Sequence, residues 1–139
     1  MAERDEFGEH AMLSRRFAAA LVVAVVVAAD AGVCFAGTGY ATYYNRKSCK
    51  RDGTSGITAS GEPLDDNAMT CATWHYPFGT RLRVTYLATG RSVIVRVNDR
   101  GPGRKARRRG VIIDLTEGAF KRIAPLKLGR IRVKVEEVD

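Results

Sequence analysis

RLRVTYLATGRSVIVRVNDRGP, residues 81–102, is the stretch from which the rest of the chain can be read. In Arg81–Leu87, Leu82, Val84 and Tyr86 alternate with Arg81, Arg83 and Thr85. In Arg91–Asn98, Val93, Val95 and Val97 keep the same period of two. That period is the mark of a half-buried strand, and Ala88-Thr89-Gly90 between the two runs supplies the turn, so the stretch reads as a β-hairpin. Asp99 has the parity of the three valines. If the strand runs on, its carboxylate points inward or into a cleft, with Asn98 and Arg100 on the other face, and it is no ordinary surface charge. The competing reading is a carboxylate that caps the turn Gly101-Pro102-Gly103 through backbone hydrogen bonds.

Working outward, Gly39–Tyr44 (GYATYY) is aromatic and β-prone and reads as a strand. Asn45 to Glu62 is polar and glycine-rich and reads as a loop. Leu64–Ala72 is read as holding a short helical turn, and Pro77-Phe78-Gly79 as a turn. Beyond the hairpin, Arg104–Arg109 (RKARRR) reads as a solvated loop and Val111–Asp114 as a strand. Thr116 can cap a helix running to Ile123, with Ala119, Phe120 and Ile123 on one face and Pro125 as its stop. Ile131, Val133 and Val135 alternate with Arg130, Arg132 and Lys134 in a last strand. Many short strands with one helix, no repeat and no long linker predict one closed small barrel over residues 37–139.

Twenty-three Lys and Arg stand against fifteen Asp and Glu, a net charge of +8. Residues 1–36 hold three of those cations and five of the acids, so the remainder carries +10. Such a surface favours polyanions, whether nucleic acid, anionic lipid or an acidic wall polymer. The front of the chain narrows the choice. Phe17–Ala29 is an unbroken apolar run, preceded by Arg15 and Arg16 and followed by small residues ending Cys34-Phe35-Ala36. That is the order of a secretory signal, and the run is shorter than the roughly 20 residues of a membrane span. Residues 1–36 are therefore read as a signal peptide with an N-terminal extension, cleaved after Ala36 or alternatively after Ala31. Met12 makes a more ordinary start than Met1. An uncleaved anchor is the competing reading, opposed by Asp30, and Val33 before Cys34 argues against lipidation. The expected location is exported: periplasm, cell envelope or secreted. Membrane contact would come only through that segment if uncleaved, and export argues against a nucleic-acid partner. Cleavage would also remove Cys34 and leave Cys49 and Cys71, expected to pair as a disulfide in an oxidising compartment. Closing that loop would contribute about 3 kcal/mol on the chain-entropy model.

Four motifs then come in order: Thr58-Ala59-Ser60-Gly61-Glu62, Tyr76-Pro77-Phe78-Gly79-Thr80, Val97-Asn98-Asp99-Arg100-Gly101-Pro102 and Ile113-Asp114-Leu115-Thr116. With Ala41-Thr42-Tyr43-Tyr44 ahead of them, they resemble the rare lipoprotein A-like domains over essentially Gly39 to Val138. The resemblance implies a mainly β fold, a six-stranded double-psi β-barrel with one or two short helices. It implies an envelope location and a lytic transglycosylase acting on peptidoglycan glycan strands. Envelope or cell-division proteins are further partners, and no cofactor is needed. The alternative is a non-catalytic, expansin-like polysaccharide-binding module. One departure bears on this choice. Family members often carry a histidine at the position of Thr73, and here His75 lies two residues on.

A lytic transglycosylase can work with one positioned carboxyl group, which protonates the leaving glycosidic oxygen and then takes the C6 hydroxyl proton as an anhydro ring closes. Asp99 is the candidate, and burial would have to raise its pKa. Glu62 matches the family's second carboxylate and is taken as a second catalytic residue; it also reads as an ordinary loop glutamate. Asp114 is read as structural. Tyr44 and Trp74, with Tyr43 and Tyr76, could stack on sugar rings; Thr73, His75 and Arg100 complete the expected substrate contacts. Arg104–Arg109 could attract anionic wall polymer or simply be solvated. No metal site is expected: one of the two histidines, His10, precedes the signal, and no Cys/His spacing forms a ligand set.

Overall fold

Leu82 pairs with Val95 and Val84 with Val93 across an antiparallel hairpin, and Leu82, Val84, Val95 and Val97 are buried at 1% exposure or less. The alternation read from the sequence therefore sets the wall of the structure, a computed structural model that describes residues 37–139. The expected signal segment, with His10 and Cys34, lies outside the described residues. The elements are β1 (Gly37–Tyr44), α1 (Arg46–Arg51), β2 (Thr70–Ala72), β3 (Arg81–Tyr86), β4 (Ser92–Asp99), α2 (Arg104–Arg108), β5 (Val111–Thr116), α3 (Glu117–Ile123), a 3-10 turn at Leu126–Leu128 and β6 (Ile131–Val138).

The six strands close in the order β1-β5-β2-β4-β3-β6, with β6 pairing back onto β1. Two pairs, β1 with β5 and β2 with β4, are parallel and the other four antiparallel. This is the closed double-psi barrel expected. Closure leaves no free sheet edge. Ile113, Leu115, Ile131, Val133 and Val135 join the hairpin's residues inside, while Arg81 and Arg83 stay exposed. Each aliphatic side chain so buried is worth about 1.5–3 kcal/mol over leaving it in water. Helix α3 closes one side of the core as expected. Thr116 Oγ1 accepts the Ala119 N–H, and Ala119, Phe120 and Ile123 are the buried face.

Four local readings need correction. The stretch after Asn45 is not all loop. Asn45 Oδ1 accepts the Ser48 N–H and Ser48 Oγ accepts the Asn45 N–H, a reciprocal cap that starts α1. Leu64–Ala72 ends in β2 rather than in a helical turn, because Thr70–Ala72 is wedged between β4 and β5 and pairing with both outweighs local preference. Arg104–Arg108 is a short helix, not a loop, although all its basic side chains remain exposed. The Cys49–Cys71 disulfide is not formed. Cys71 is fully buried among the barrel's core residues, while Cys49 sits on α1, where it lines a cavity.

Candidate active site

Ala72, the last residue of β2, is the point of reference for the site. Its backbone registers with Asp99 of β4 on one side and with Asp114 of β5 on the other. Two strand spacings put the Cα atoms of these aspartates about 10 Å apart with only a methyl group between them. Both line one cavity of about 310 Å³, together with Tyr44, Ala72 and Arg100, and with Cys49 and Ile57 towards α1 and the following loop. Gly101 keeps this floor open, since a Cβ there would lie 3.3 Å from the Ala72 Cβ and 3.4 Å from Asp114 Oδ2.

The two carboxylates are held differently. Asp99 Oδ1 accepts the backbone N–H groups of Ala59 (2.9 Å) and Arg100 (2.8 Å). It lines the cleft, and its backbone partners are Ala59 and Arg100 rather than the Gly101-Pro102-Gly103 turn. Asp114 is half-buried, and Thr42 Oγ1, opposite it on β1, donates to its Oδ1. Burial raises the Asp114 pKa, the Thr42 hydrogen bond opposes that, and the charge of Asp99 raises it further. Burial, then the charges of Asp99 and Asp114 among others, pushes the Tyr44 phenol up as well, so it stays a proton donor. The cavity therefore holds an elevated carboxyl, a second carboxylate and a protonated phenol. Asp114, read from sequence as structural, is the group whose surroundings suit an acid.

The other expected site residues have their side chains engaged in other contacts or outside this cavity. Glu62 is locked in a two-pronged ion pair with Arg96 (2.8 Å on each oxygen) and accepts from Asn98 Nδ2 at 3.2 Å. Those hydrogen bonds hold its pKa down to about 2, so it stays anionic and is no proton donor. Thr73 is buried, donates to the Ile112 carbonyl and does not line the Asp99 cavity. His75 is exposed and, with Thr73, borders a separate apolar cavity of about 150 Å³. It does not line the Asp99–Asp114 cavity. The Arg100 guanidinium is turned towards the 73–78 turn, donating to the Thr73 and Tyr76 carbonyls at 2.8 Å and lying 4.0 Å above the Phe78 ring. Trp74 is half exposed; its indole N–H donates to the Pro102 carbonyl at 2.9 Å. Asn98, placed outside by parity, is buried, because the β2–β4 register skips it between Val97 and Asp99.

The Glu62–Arg96 pair makes a testable distinction. A depressed carboxyl pKa stabilises the fold above the ordinary value of 4.5, and that contribution is lost as pH falls through about 2. Thermal melts should show Glu62→Gln slightly less stable than the parent at pH 7, since both side chains are 43% exposed, with the gap closing between pH 4.5 and 2.

A profile of the lytic transglycolase family matches residues 36–135. A probable endolytic peptidoglycan transglycosylase RlpA of Nostoc sp. is 44% identical over 99 residues, which cover 70% of this chain and 24% of the relative. The endolytic peptidoglycan transglycosylase RlpA of Neisseria meningitidis serogroup B is 38% identical over 104 residues, 75% of this chain and 40% of the relative. The chain thus spans less than half the length of these relatives. Among solved structures, the Streptomyces papain inhibitor superposes with a TM-score of 0.55 at 28% identity, covering 75% of this chain and 94% of that one. The apo form of Clavibacter michiganensis expansin does so with a TM-score of 0.54 at 27% identity, covering 75% and 50%.

Proposed function

This chain belongs to the lytic transglycolase family, and from that premise we propose that it is an exported cell-wall enzyme that cleaves peptidoglycan glycan strands to leave 1,6-anhydromuramic ends. The observation that carries the proposal is the Asp99–Asp114 cavity, where a half-buried carboxyl with an elevated pKa shares the lining with a second carboxylate. In the proposed step Asp114 gives its proton to the glycosidic oxygen as the bond from C1 of the muramic residue breaks. The C6 hydroxyl then bonds to C1, and its proton passes to Asp114. No water is consumed and the acid is restored. Asp99 remains the anion that offsets positive charge developing at C1, and it keeps the neighbouring acid protonated. This assigns to Asp114 the proton that the sequence reading assigned to Asp99, and it makes the pair the reacting unit. Tyr44 supplies a hydroxyl donor to a sugar oxygen. Ile57, exposed and in the lining of the cavity, offers a surface to the disaccharide's apolar face. A peptidoglycan substrate supports an envelope location for the proposed working domain, residues 37–139.

The second reading is an expansin-like module that binds glycan without cleaving it. Thr73 in place of the family's usual histidine and the likeness to expansin favour it. The full chain incubated with purified sacculi separates the two. Soluble muropeptides with anhydro ends, identified by mass, are expected; sedimentation with sacculi and no soluble product would replace the enzyme by the binding module.

A further inference from the structure

Arg100 is the first residue past the end of β4, where the ladder of backbone hydrogen bonds runs out. β2 stops at Ala72, and the last rung beyond it, from the Thr73 N–H to the Asp99 carbonyl, is long at 3.3 Å. The 73–78 turn that follows shows Trp74, His75, Pro77 and Phe78 to solvent, and a segment with so little apolar burial opens easily unless polar ties hold it. Arg100 supplies such ties. Its Nη1 donates to the Thr73 and Tyr76 carbonyls at 2.8 Å, and its guanidinium lies 4.0 Å from the centre of the Phe78 ring. Hydrogen bonds from a cation are about twice as strong as neutral ones, and stacking fixes the plane that makes them. The backbone of the same residue holds the site, since the Arg100 N–H donates to Asp99 Oδ1 at 2.8 Å. One residue thus joins the turn to the carboxylate. With the cation turned to carbonyls, neither Asp99 nor Asp114 has an ion pair among the described residues.

We propose that Arg100 is a positioning residue: its guanidinium clamps the 73–78 turn to the end of β4 and so fixes the Asp99 carboxylate in the cavity, acting through Asp99 rather than on the glycan. This role rests on the reading of the Asp99–Asp114 cavity given above. It replaces the substrate contact expected of Arg100 from the sequence. Phe78 belongs to the same clamp, because it backs the guanidinium and does not line the cavity. The clamp bears on rate because a reacting group displaced by about 1 Å can lose on the order of a hundredfold.

The test compares the full chain with Arg100→Met, Phe78→Ala and the double variant on purified sacculi, reading kcat and KM from the release of anhydro ends. Methionine keeps most of the side chain's length and removes its donors, and circular dichroism checks that each variant folds. In Arg100→Met kcat should fall by at least about tenfold while KM stays within about threefold, because the glycan still finds its surface and only Asp99 is loosened. Phe78→Ala should lower kcat in the same way but less, by about threefold or more, since both hydrogen bonds can still form. The double variant should be no worse than Arg100→Met alone, as both changes release one clamp. A raised KM at unchanged kcat overturns the proposal in favour of a direct glycan contact. Losses that multiply in the double variant overturn it as well. So does a double variant more active than Phe78→Ala, which would mean that the cation has only to be kept off the carboxylates. If Arg100→Met does not fold, Phe78→Ala decides, its residue being 43% exposed and its truncation mild, and a parent-like kcat there overturns the clamp. Product from the parent with parent-like kinetics in Arg100→Met sinks the clamp alone. No anhydro product from the parent sinks the cavity reading and the clamp with it.

Discussion

Asp114→Asn should abolish release of anhydro-muropeptides while making the folded chain more stable at neutral pH. The first effect follows from removing the proton donor. Positioned acid–base groups contribute about 10²- to 10⁴-fold, so product formation should fall by at least that lower bound. The second follows from the direction of the shift. A carboxyl whose folded pKa lies above its unfolded value binds its proton more tightly when folded. It therefore costs stability as pH rises from the ordinary carboxylate range, about pH 4, through the elevated value. Asparagine carries no charge to desolvate and still offers Thr42 an acceptor. Melting temperature should rise for Asp114→Asn at pH 7, and the gain should disappear below about pH 4. Asp99→Asn gives a different pattern. It removes a charge that holds the Asp114 pKa up, so residual activity should lose its acid form at a lower pH than the parent. A parent-like rate for Asp114→Asn, or a high-pH limb unmoved by Asp99→Asn, would remove these roles. Glu62→Gln is the matched control: it should stay within about tenfold of the parent, well short of an acid–base loss.

The barrel was legible because its signal is local. Period-two alternation in residues 82–97 and 131–135, the Thr116 cap and the Ala119, Phe120 and Ile123 face each need only a few neighbouring residues to be read. Asp99 was legible as the carboxylate at the end of that alternating run, although the register sets it level with Ala72 and Asp114 and not on the face of the core residues Val97 and Cys71. The parity rule failed one residue earlier, at Asn98, because the skipped register is a property of pairing with β2, which no local pattern encodes. Asp114 was missed on similar grounds. Its neighbours in sequence read as any barrel strand. Its elevated pKa comes from enclosure beside Thr42 of β1 and from the charge of Asp99 across β2. Helix α1 did carry a local signal, Asn45 with Ser48 three residues on, which the glycine-rich sequence after it obscured. Thr73 and His75, two residues apart, would share a face only on a strand, and β2 ends at Ala72.

Phe120→Ala should be the most destabilising single truncation in the barrel core. Phe120 is fully buried in α3, and its ring lies 5.0 Å from that of Tyr43, tilted by 53°. Deleting a buried phenylalanine ring costs about 3–5 kcal/mol, transfer and cavity together. Small domains hold about 5–15 kcal/mol in all, and each kcal/mol moves the melting point of one this size by about 4–8 °C. A fall of at least about 12 °C follows. The position also bears on the site, because Tyr43 sits in β1 between Thr42, which holds Asp114, and Tyr44, which lines the cavity. A cavity opened behind Tyr43 frees the strand that positions both. Below its melting point Phe120→Ala should therefore lose turnover on sacculi beyond what the folded fraction explains. Phe120→Leu keeps most of the volume and should recover most of both losses. A melting point for Phe120→Ala within a few degrees of the parent would mean that α3 does not carry the core as described. A large fall in melting point with unchanged turnover per folded molecule would mean that β1 holds the Asp114 site without support from behind.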